Sequence, residues 1–567
     1  MAPKELSIAI TGAGGAGVIS VGELLLQAWA REGGRGLLRK AFGPQIRGGE
    51  SAALLKLTET ERYTAASEYN VLLAFDWNNF ARFGDEICLS PGAVVICEDA
   101  GDIPAEVMAV EPRLIRLPMS KLAAATHADG RVNMFALGLL GQLLGLTADS
   151  LEQLARQKLI NKPESYREAA GACIQSGVAQ TLSCEVSVPD CGTKGGWYLS
   201  GNQAAGLGAL EAGIRFVAAY PITPASDVLE WMAGGLEALG GNLVQAEDEL
   251  AAINMIIGAA FGGVPSFTAT SGPGLALMTE SIGLAVASET PITILNVMRG
   301  GPSTGIPTKS EQSDLNIALH GLHGDAPHLV LAPLDIADCV YTSAWAVHLA
   351  QGLQTAAIVL SDQFIGQSTA VVSEPERCDP LVVAEQANDN DYLRYRLTDS
   401  GVSTLAAPGD ADQRFTADGL EHNEKGTPSA RDDDHQLQLA KRSRKLTEHD
   451  YGDAWARIEG EGEVALVGFG SASAAIAEAA ELLAEQGIAA RTISLRLIAP
   501  LQQQKLQAAL DGCDSAFVIE QNHGGQLFHY LRGMMDFSQP LHRYSRAGPL
   551  PLSGKAIAAA VIQESRS

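Results

Sequence analysis

The stretch FVAAYPITPASDVLEWMAGG, residues 216–235, decides the fold, because a short apolar strand runs through a proline turn directly into a helix. The same pattern returns at LVQAEDELAAINMIIGAA, residues 243–260, and at SFTATSGPGLALMTESIGLAVAS, residues 266–288. Strands that alternate with helices predict a parallel sheet covered by helices on both faces. We therefore expect an α/β domain over residues 200–375.

A similar rhythm of strands and helices extends to both sides of this domain. Residues 1–185 contain GAGGAG, residues 12–17, which opens a helix after an apolar strand, and the strands that follow predict another parallel sheet. Residues 460–567 predict a third α/β domain. Glycine and proline without periodicity indicate a linker at 185–200, and runs of acidic and basic residues indicate a polar connector at 376–455.

The composition argues against several classes of protein. The 40 basic and 66 acidic residues give a net charge of −26, so nucleic-acid binding, which needs a basic surface, is not expected. The eight cysteines form no C-x-x-C pair, so the chain has neither a ferredoxin-type cluster motif nor a zinc ribbon. The longest apolar stretches fall short of the ~20 residues that a membrane span needs, and we expect a cytoplasmic protein.

The first glycine loop fits the pattern G-x-G-x-x-G, with Gly14, Gly15 and Gly17 at the start of a helix. Such glycines let the backbone approach a phosphate at the helix N-terminus. A dinucleotide site also needs an acidic residue about twenty positions later, and no clean candidate stands near Arg31 or Arg35. A nucleotide-type ligand and plain tight packing both remain open.

Two strand-to-helix turns of the 200–375 domain carry candidate site residues. In YPITP, Thr223 either caps a helix that has Pro224 at its first position or binds a substrate carboxylate. In QAEDE, the acids either complement a helix dipole or include a functional carboxyl. Because Glu249 is followed at once by an apolar helix, we expect its carboxyl to be buried and suited to proton transfer.

A long loop follows the strand that ends at Met298. It reads RGGPSTG and then IPTKSEQ, and it contains Arg299, Ser303, Thr304 and Lys309. Arginine binds carboxylates bidentately and lysine offers a point charge, although Lys309 is equally compatible with an ordinary surface position. In the last domain, the histidine of EQNHGGQ, residues 520–526, is more typical of a structural turn than of catalysis.

Taken together, YPITP, EDELAAIN, TSGPG, RGGPSTG and EQNHGGQ resemble the α subunits of 2-oxoacid:ferredoxin oxidoreductases. GAGGAG and GPQIRGG, residues 43–49, resemble the γ domain of the same family, and GLEHNEKG, residues 419–426, resembles the connector of its fused chains. The resemblance covers nearly the whole chain. A difference stands at Ala225, where a serine often follows YPITP.

The resemblance implies three α/β domains: a Rossmann-like γ domain, a domain for the pyrimidine of thiamine diphosphate, and a domain similar to the transketolase C-terminal domain. It places Glu249 at the aminopyrimidine ring of the cofactor, and Thr223 and Arg299 at the 2-oxo acid. It associates the γ domain with coenzyme A and makes Arg47 a candidate phosphate contact.

The family also implies a β subunit, because this sequence has no GDG followed by asparagine, the usual magnesium–diphosphate motif, and no cluster cysteines. The β subunit would supply Mg²⁺, the diphosphate site and a [4Fe–4S] cluster in an (αβ)₂ heterotetramer. Electrons would then pass to ferredoxin. No metal ligand is assigned to this chain itself.

The implied reaction converts 2-oxoglutarate, coenzyme A and two oxidised ferredoxins into succinyl-CoA, CO₂ and two reduced ferredoxins, and it is possibly reversible. The fused γ domain and the PSTGIPTK loop resemble the 2-oxoglutarate branch most. Pyruvate, 2-oxoisovalerate and other 2-oxo acids remain alternative substrates. Two rival hypotheses are a nicotinamide dehydrogenase built on the first glycine loop and a non-catalytic assembly subunit.

Overall fold

The computed structural model describes residues 4–43, 49–78, 80–182, 184, 186–192, 194–306, 309–379, 392–410 and 413–564. Arg47, the candidate phosphate contact, lies outside these residues. The chain forms two compact units, which are described separately: unit 1 is residues 1–199 and 368–374, and unit 2 is residues 200–367 and 375–567. Within the described residues, no helix is both long and apolar enough to cross a bilayer.

Unit 1 is built on an eight-stranded sheet with the order β6-β5-β4-β1-β3-β2-β14-β7. Its strands are β1 Glu5–Ala13, β2 Arg35–Phe42, β3 Glu50–Thr58, β4 Tyr69–Ala74, β5 Leu89–Glu98, β6 Arg113–Leu117, β7 Trp197–Ser200 and β14 Thr369–Val372. The helices are α1 Val18–Arg31, α2 Ala105–Met108, α3 Met119–Thr126, α4 Val132–Leu143, α5 Ala148–Lys158 and α6 Glu164–Val178, with a short 3₁₀ turn at Phe80–Phe83.

The sheet of unit 1 is mixed, so the expectation of a parallel sheet in this part of the chain was wrong. Strands β1, β4, β5 and β6 are parallel, whereas β3 is antiparallel to both β1 and β2. The reason is local: β2 and β3 pair over their whole lengths as neighbours in sequence, which antiparallel strands can do without a crossover helix. The predicted linker also contains a strand, β7.

Unit 2 contains a seven-stranded sheet with the order β18-β12-β13-β11-β10-β8-β9. Its strands are β8 Phe216–Ala219, β9 Asn242–Gln245, β10 Ser266–Thr270, β11 Ile292–Met298, β12 Leu329–Leu331, β13 Ala356–Asp362 and β18 Leu497–Ala499. The first six run parallel, as the sequence predicts, and β18 joins the edge antiparallel to β12. Residues from the C-terminal part of the chain therefore complete this sheet.

The helices around this sheet are α7 Gly201–Glu211, α8 Ser226–Ala238, α9 Glu249–Phe261, α10 Gly272–Ala287, α11 Leu315–His320, α12 Asp338–Leu353 and α13 Gln363–Gln367. A second sheet in unit 2 has the order β15-β17-β16-β19-β20 and comprises β15 Ala456–Glu459, β16 Val464–Phe469, β17 Ala490–Leu495, β19 Ser515–Glu520 and β20 Leu541–Ser545. Its helices are α15 Ala472–Glu485, α16 Gln503–Leu510, α17 Gln526–Met534 and α18 Gly554–Glu564.

The predicted polar connector contains a regular helix, α14 Asp432–Thr447. Its acidic run fills the first turn and basic residues fill the last turn, which complements the helix dipole. Lys441 and Lys445 are buried, and both bind the carboxylate of Glu289 in the adjoining domain. The charged run of the predicted polar connector is therefore packed within unit 2 through its lysines.

Candidate functional site

The candidate residues of unit 2 lie where neighbouring strands end. Strands β11, β10, β8 and β9 are consecutive and parallel, so the turns that follow them meet at one edge of the sheet. YPITP follows β8, QAEDE ends β9 and enters α9, TSGPG joins β10 to α10, and RGGPSTG follows β11. The carboxyl edge of such a sheet is where ligands bind in open α/β folds.

Glu249 is the first residue of α9, and its side chain is buried, as the sequence predicts. Asp248 precedes it as the N-cap, and its side chain accepts a hydrogen bond of 2.7 Å from the Ala251 amide. The N-cap role is thus filled by Asp248, which leaves the Glu249 carboxyl available for another function.

The TSGPG turn closes over the Glu249 side chain. A Cβ at Gly274 would lie 2.7 Å from Glu249 Oε1 and 2.1 Å from Thr270 Oγ1, so only glycine allows this approach. The packing of α9 against α10 therefore fixes where the carboxyl stands. It also keeps this buried acid at the sheet edge and not inside the apolar core.

Thr223 and Arg299 are in direct contact at this edge. The Arg299 Nη1 donates a hydrogen bond of 2.6 Å to the Thr223 backbone carbonyl. Thr223 is exposed and is not a helix cap, because α8 begins at Ser226 with Ala225 as its N-cap. The expected helix over Pro224 thus starts two residues later, which frees the Thr223 hydroxyl for a ligand.

Asp314 is a half-buried acid at this edge that the sequence motifs did not identify. Burial raises its pKa to about 6, although a hydrogen bond of 2.9 Å from Asn296 Nδ2 to Asp314 Oδ2 and the charge of Arg299 oppose the shift. A Cβ at Gly272 would lie 2.6 Å from Asp314 Oδ1, so the acid packs on the first turn of α10. Burial also lowers the pKa of Arg299, and the charge of Asp314 opposes that shift.

Several buried polar atoms belong to residues around Asp314, and they have no hydrogen-bond partner within the described part of the chain. They are Ser271 Oγ, Asn296 Oδ1, Arg299 Nε and Ser313 Oγ. Because buried polar groups in proteins are nearly always paired, a cluster of this kind points to a bound ligand or to water. The donors and acceptors present suit a polar ligand with a carboxylate or a ring nitrogen.

The loop that begins at Arg299 folds back on itself. The Gly300 amide donates to the Lys309 carbonyl at 2.9 Å, and the Ile306 amide donates to the Gly300 carbonyl at 3.1 Å. Ser303 and Thr304 lie at the exposed tip, and Ser303 has a left-handed φ of 59°. Lys309 is half-buried at the point where the loop closes.

In unit 1, the glycine loop lies between β1 and α1 as predicted. Gly15 and Gly17 have φ angles of 91° and 85°, which favour glycine. A Cβ at Gly17 would lie 2.3 Å from Asn133 Nδ2, so this glycine serves close packing. Gly14 and Gly15 are exposed and leave the backbone accessible. Both interpretations of the loop therefore have a structural basis, at different glycines.

In the last domain, EQNHGGQ joins β19 to α17. The first three residues are buried, whereas His523 is exposed. Both oxygens of the Glu520 carboxylate accept hydrogen bonds from the backbone of α17, from the Leu527 amide at 2.8 Å and the Phe528 amide at 3.1 Å. The motif is therefore structural within its own domain, as expected for the turn.

Three family models match successive parts of this chain. The model described as pyruvate ferredoxin/flavodoxin oxidoreductase matches residues 7–180. The thiamine diphosphate-binding model of pyruvate flavodoxin/ferredoxin oxidoreductase matches residues 207–441, and the transketolase C-terminal domain matches residues 453–525. The three matches follow the order of the domains that the motifs indicated.

Individual relatives match over most of the chain. Subunit alpha of 2-oxoacid:ferredoxin oxidoreductase 2 from Aeropyrum pernix is 28% identical over 93% of both chains. The 2-oxoglutarate synthase subunit KorA from Methanothermobacter thermautotrophicus is 34% identical over 59% of this chain and 90% of its own length. A solved 2-oxoglutarate:ferredoxin oxidoreductase from Magnetococcus marinus, with 2-oxoglutarate, coenzyme A and succinyl-CoA bound, is 33% identical with a TM-score of 0.91, over 99% of this chain and 100% of that one.

Proposed function

This chain belongs to the 2-oxoacid:ferredoxin oxidoreductase family as a fused γ–α subunit, and from that premise we propose that it oxidises 2-oxoglutarate to succinyl-CoA. It is thus a subunit of a thiamine-diphosphate-dependent oxidoreductase. The observation that carries the proposal is the Glu249 carboxyl, which is buried at the sheet edge under the TSGPG turn.

Glu249 has the properties that a proton relay to the cofactor needs. Its carboxyl is buried, fixed by the close approach of Gly274, and not used as a helix cap. Thiamine diphosphate, when bound, supplies a carbon nucleophile for the 2-oxo group. The role of Glu249 is to hold a proton between its carboxyl oxygen and the aminopyrimidine ring nitrogen, which general acid–base catalysis requires.

Arg299 and the Thr223 hydroxyl are proposed to bind the 1-carboxylate of the 2-oxo acid. Arg299 has one nitrogen anchored on the Thr223 carbonyl and its Nε free of any partner in the described residues. An anchored guanidinium offers its remaining donors in a fixed direction, which suits a carboxylate. Ser303, Thr304 and Lys309 of the same loop are the proposed contacts for the second carboxylate, which distinguishes 2-oxoglutarate from pyruvate.

The proposal requires a β subunit, which supplies Mg²⁺, the diphosphate site and a [4Fe–4S] cluster in an (αβ)₂ heterotetramer. Its support is a set of large apolar side chains that are 40–50% exposed on and beside α9 and α10, which are Tyr220, Leu250, Met255 and Leu277. Exposed apolar surface of this kind marks a protein interface. The γ domain, with Gly14, Gly15, Gly17 and Arg47, is the proposed contact for coenzyme A.

The balanced reaction is 2-oxoglutarate plus coenzyme A plus two oxidised ferredoxins, giving succinyl-CoA, CO₂, two reduced ferredoxins and one proton. The carbon–carbon bond to the 1-carboxylate breaks, the thioester bond forms, and the electron pair leaves one electron at a time. The chain contributes the proton relay and the substrate pocket to this reaction. A [4Fe–4S] cluster in the β subunit would carry the electrons.

The substrate is tested with the chain co-expressed with its β-type partner and loaded with iron and sulfide. Reduction of a viologen dye is followed with 2-oxoglutarate, pyruvate and 2-oxoisovalerate, each with and without coenzyme A. We expect the highest kcat/KM with 2-oxoglutarate and no turnover without coenzyme A. A preference for pyruvate or 2-oxoisovalerate would overturn the substrate assignment while leaving the family unchanged.

A further inference from the structure

The segment that closes the Arg299 loop is held by the C-terminal domain. We call residues 309–314 the neck, since this segment returns the chain from the loop to helix α11. The loop begins and ends at one hydrogen bond, from the Gly300 amide to the Lys309 carbonyl at 2.9 Å. Any displacement of the neck is therefore passed directly to the residue next to Arg299.

The central residue of the neck, Gln312, is fully buried and bonds to the C-terminal domain through both its backbone and its side chain. Its amide donates to the Gln521 carbonyl at 2.7 Å, and its Oε1 accepts from the Gln521 amide at 2.9 Å. Its Nε2 donates to the Phe469 carbonyl at 2.7 Å. Gln312 thus forms three hydrogen bonds to two residues of the C-terminal domain.

The side chains of the EQNHGGQ turn complete the attachment. Gln521 Nε2 donates to the Ser310 carbonyl at 3.2 Å, and Asn522 Nδ2 donates to the Gln312 carbonyl at 3.1 Å. Gln526 Nε2 donates to the Ser313 carbonyl at 2.9 Å. Three side-chain amides thus donate to three backbone carbonyls of the neck, and the donors all belong to the EQNHGGQ motif.

Two more hydrogen bonds link the neck and the start of α11 to the C-terminal domain. Glu311 Oε1 accepts from the Gly548 amide at 2.9 Å, and Gln526 Oε1 accepts from the Asn316 amide at 2.8 Å. Gln521 and Asn522 are each only 1% exposed, so water cannot replace the bonds they make. A buried carbonyl that loses its donor stays unsatisfied, and the segment is then expected to shift.

We propose that Gln521, Asn522 and Gln526 are positioning residues that fix the neck and thereby hold the Arg299 loop in its substrate-binding arrangement. This inference rests on the proposed function, because it assigns the loop to the 2-oxo acid. It gives the EQNHGGQ turn a role beyond its own domain. The transketolase-like domain acts on the substrate pocket through these side-chain amides, which bind backbone carbonyls of the neck.

Two near-isosteric variants test the inference in the complex with the β-type partner. Gln521→Glu replaces the side-chain amide that donates to the Ser310 carbonyl by a carboxyl. Gln526→Glu makes the same change in the amide that donates to the Ser313 carbonyl, at a half-buried position where folding is less at risk. Gln503→Glu, on the exposed first turn of α16, adds the same charge to the same domain and serves as the matched control. Near-ultraviolet circular dichroism verifies that each complex is folded.

The first measurement is amide hydrogen exchange of residues 299–306 without substrate. We expect faster exchange in Gln521→Glu and Gln526→Glu than in the wild type, and none of this increase in Gln503→Glu. Unchanged exchange in both neck variants would overturn the inference. If Gln521→Glu fails to assemble, Gln526→Glu decides the result alone.

The second measurement separates positioning from loss of folded enzyme. A displaced loop raises the KM for the 2-oxo acid by about tenfold, as the loss of one hydrogen bond to a charged group does, while the KM for coenzyme A stays unchanged. A variant that merely loses folded protein lowers kcat at constant KM, and that pattern would contradict the inference. A wild-type complex without 2-oxoacid activity would refute the proposed function, whereas the exchange measurement would still test the neck.

Discussion

Two buried glutamates of unit 2 show how differently the same side chain can be used. Glu289 is fully buried, and its carboxylate binds Lys441 at 2.6 Å and Lys445 at 3.1 Å. Glu249 is nearly as buried, at 7% exposure, yet it forms no ion pair with any described residue. A buried acid whose charge is matched by the fold stabilises the fold, whereas an unmatched acid at a ligand edge is available for chemistry.

The surroundings of the two groups support this distinction. Burial raises the pKa of Glu289, but Lys445, Lys441 and Arg394 outweigh it and hold that pKa at about 2. The Arg394 guanidinium also donates to the Glu289 carbonyl at 2.7 Å and to the Gln354 side chain at 2.8 Å, so every member of the cluster is paired. Around Glu249, by contrast, the neighbouring turns carry unpaired polar atoms.

The largest expected effect on stability is at Glu289. Glu289→Ala leaves two buried lysines without their carboxylate, so we expect the free energy of unfolding to fall by ~3–5 kcal/mol. Urea denaturation of the chain measures the change, with the exposed Glu237→Ala as the control. A loss as small as that of Glu237→Ala would show that the cluster does not anchor α14.

The next largest effect is expected on substrate binding, at Arg299. Arg299→Lys keeps the charge but loses the planar fork and the fixed bond to the Thr223 carbonyl. Loss of a charged hydrogen bond of about 1.5–3 kcal/mol corresponds to a fall of roughly 10- to 100-fold in kcat/KM for the 2-oxo acid. Steady-state kinetics of the complex measure kcat/KM for the variant and the wild type. Equal values would show that Arg299 does not bind the 2-oxo acid.

The smallest effect concerns Asp314, whose pKa burial raises to about 6. Because the folded state binds this proton more tightly than the unfolded state, the contribution to stability is present at low pH and is lost as pH rises through about 6. Between pH 5 and pH 7 this amounts to about 1 kcal/mol. Asp314→Asn is expected to lack this pH dependence in thermal unfolding, and an identical pH profile would contradict the assignment.

The sequence predicted the elements whose signals are local. The apolar run after Glu249 identified both α9 and the burial of its first acid, and the strands of the 200–375 domain lie where their apolar patterns indicated. For Thr223 the sequence left a helix cap and a substrate contact open, because a hydroxyl before Pro224 satisfies the same pattern whether or not the helix begins there. The structure excludes the cap, since α8 begins at Ser226. The glycine loop was placed correctly between β1 and α1.

What the sequence did not predict depends on contacts between distant residues. Lys441 and Lys445 belong to a run of charge that indicates solvent exposure unless Glu289, about 150 positions earlier, is known to face them. Asp314 stands before an apolar helix like any capping acid, and only the fold brings it against Gly272 and Asn296. The attachment of the neck could not be predicted either, because the side chains that donate to its carbonyls lie more than 200 residues away in the sequence.

The most direct test of the account compares Glu249→Gln with Glu247→Gln in the assembled complex with thiamine diphosphate and coenzyme A. Glu247 stands two residues earlier on the same turn and is exposed, so it is a matched control. We expect Glu249→Gln to lower kcat for the 2-oxo acid by roughly 10²- to 10⁴-fold, with thermal stability unchanged, because the amide cannot relay the proton. Glu247→Gln should retain wild-type kcat. Full activity of Glu249→Gln would contradict the central claim that this unpaired buried acid is the catalytic one.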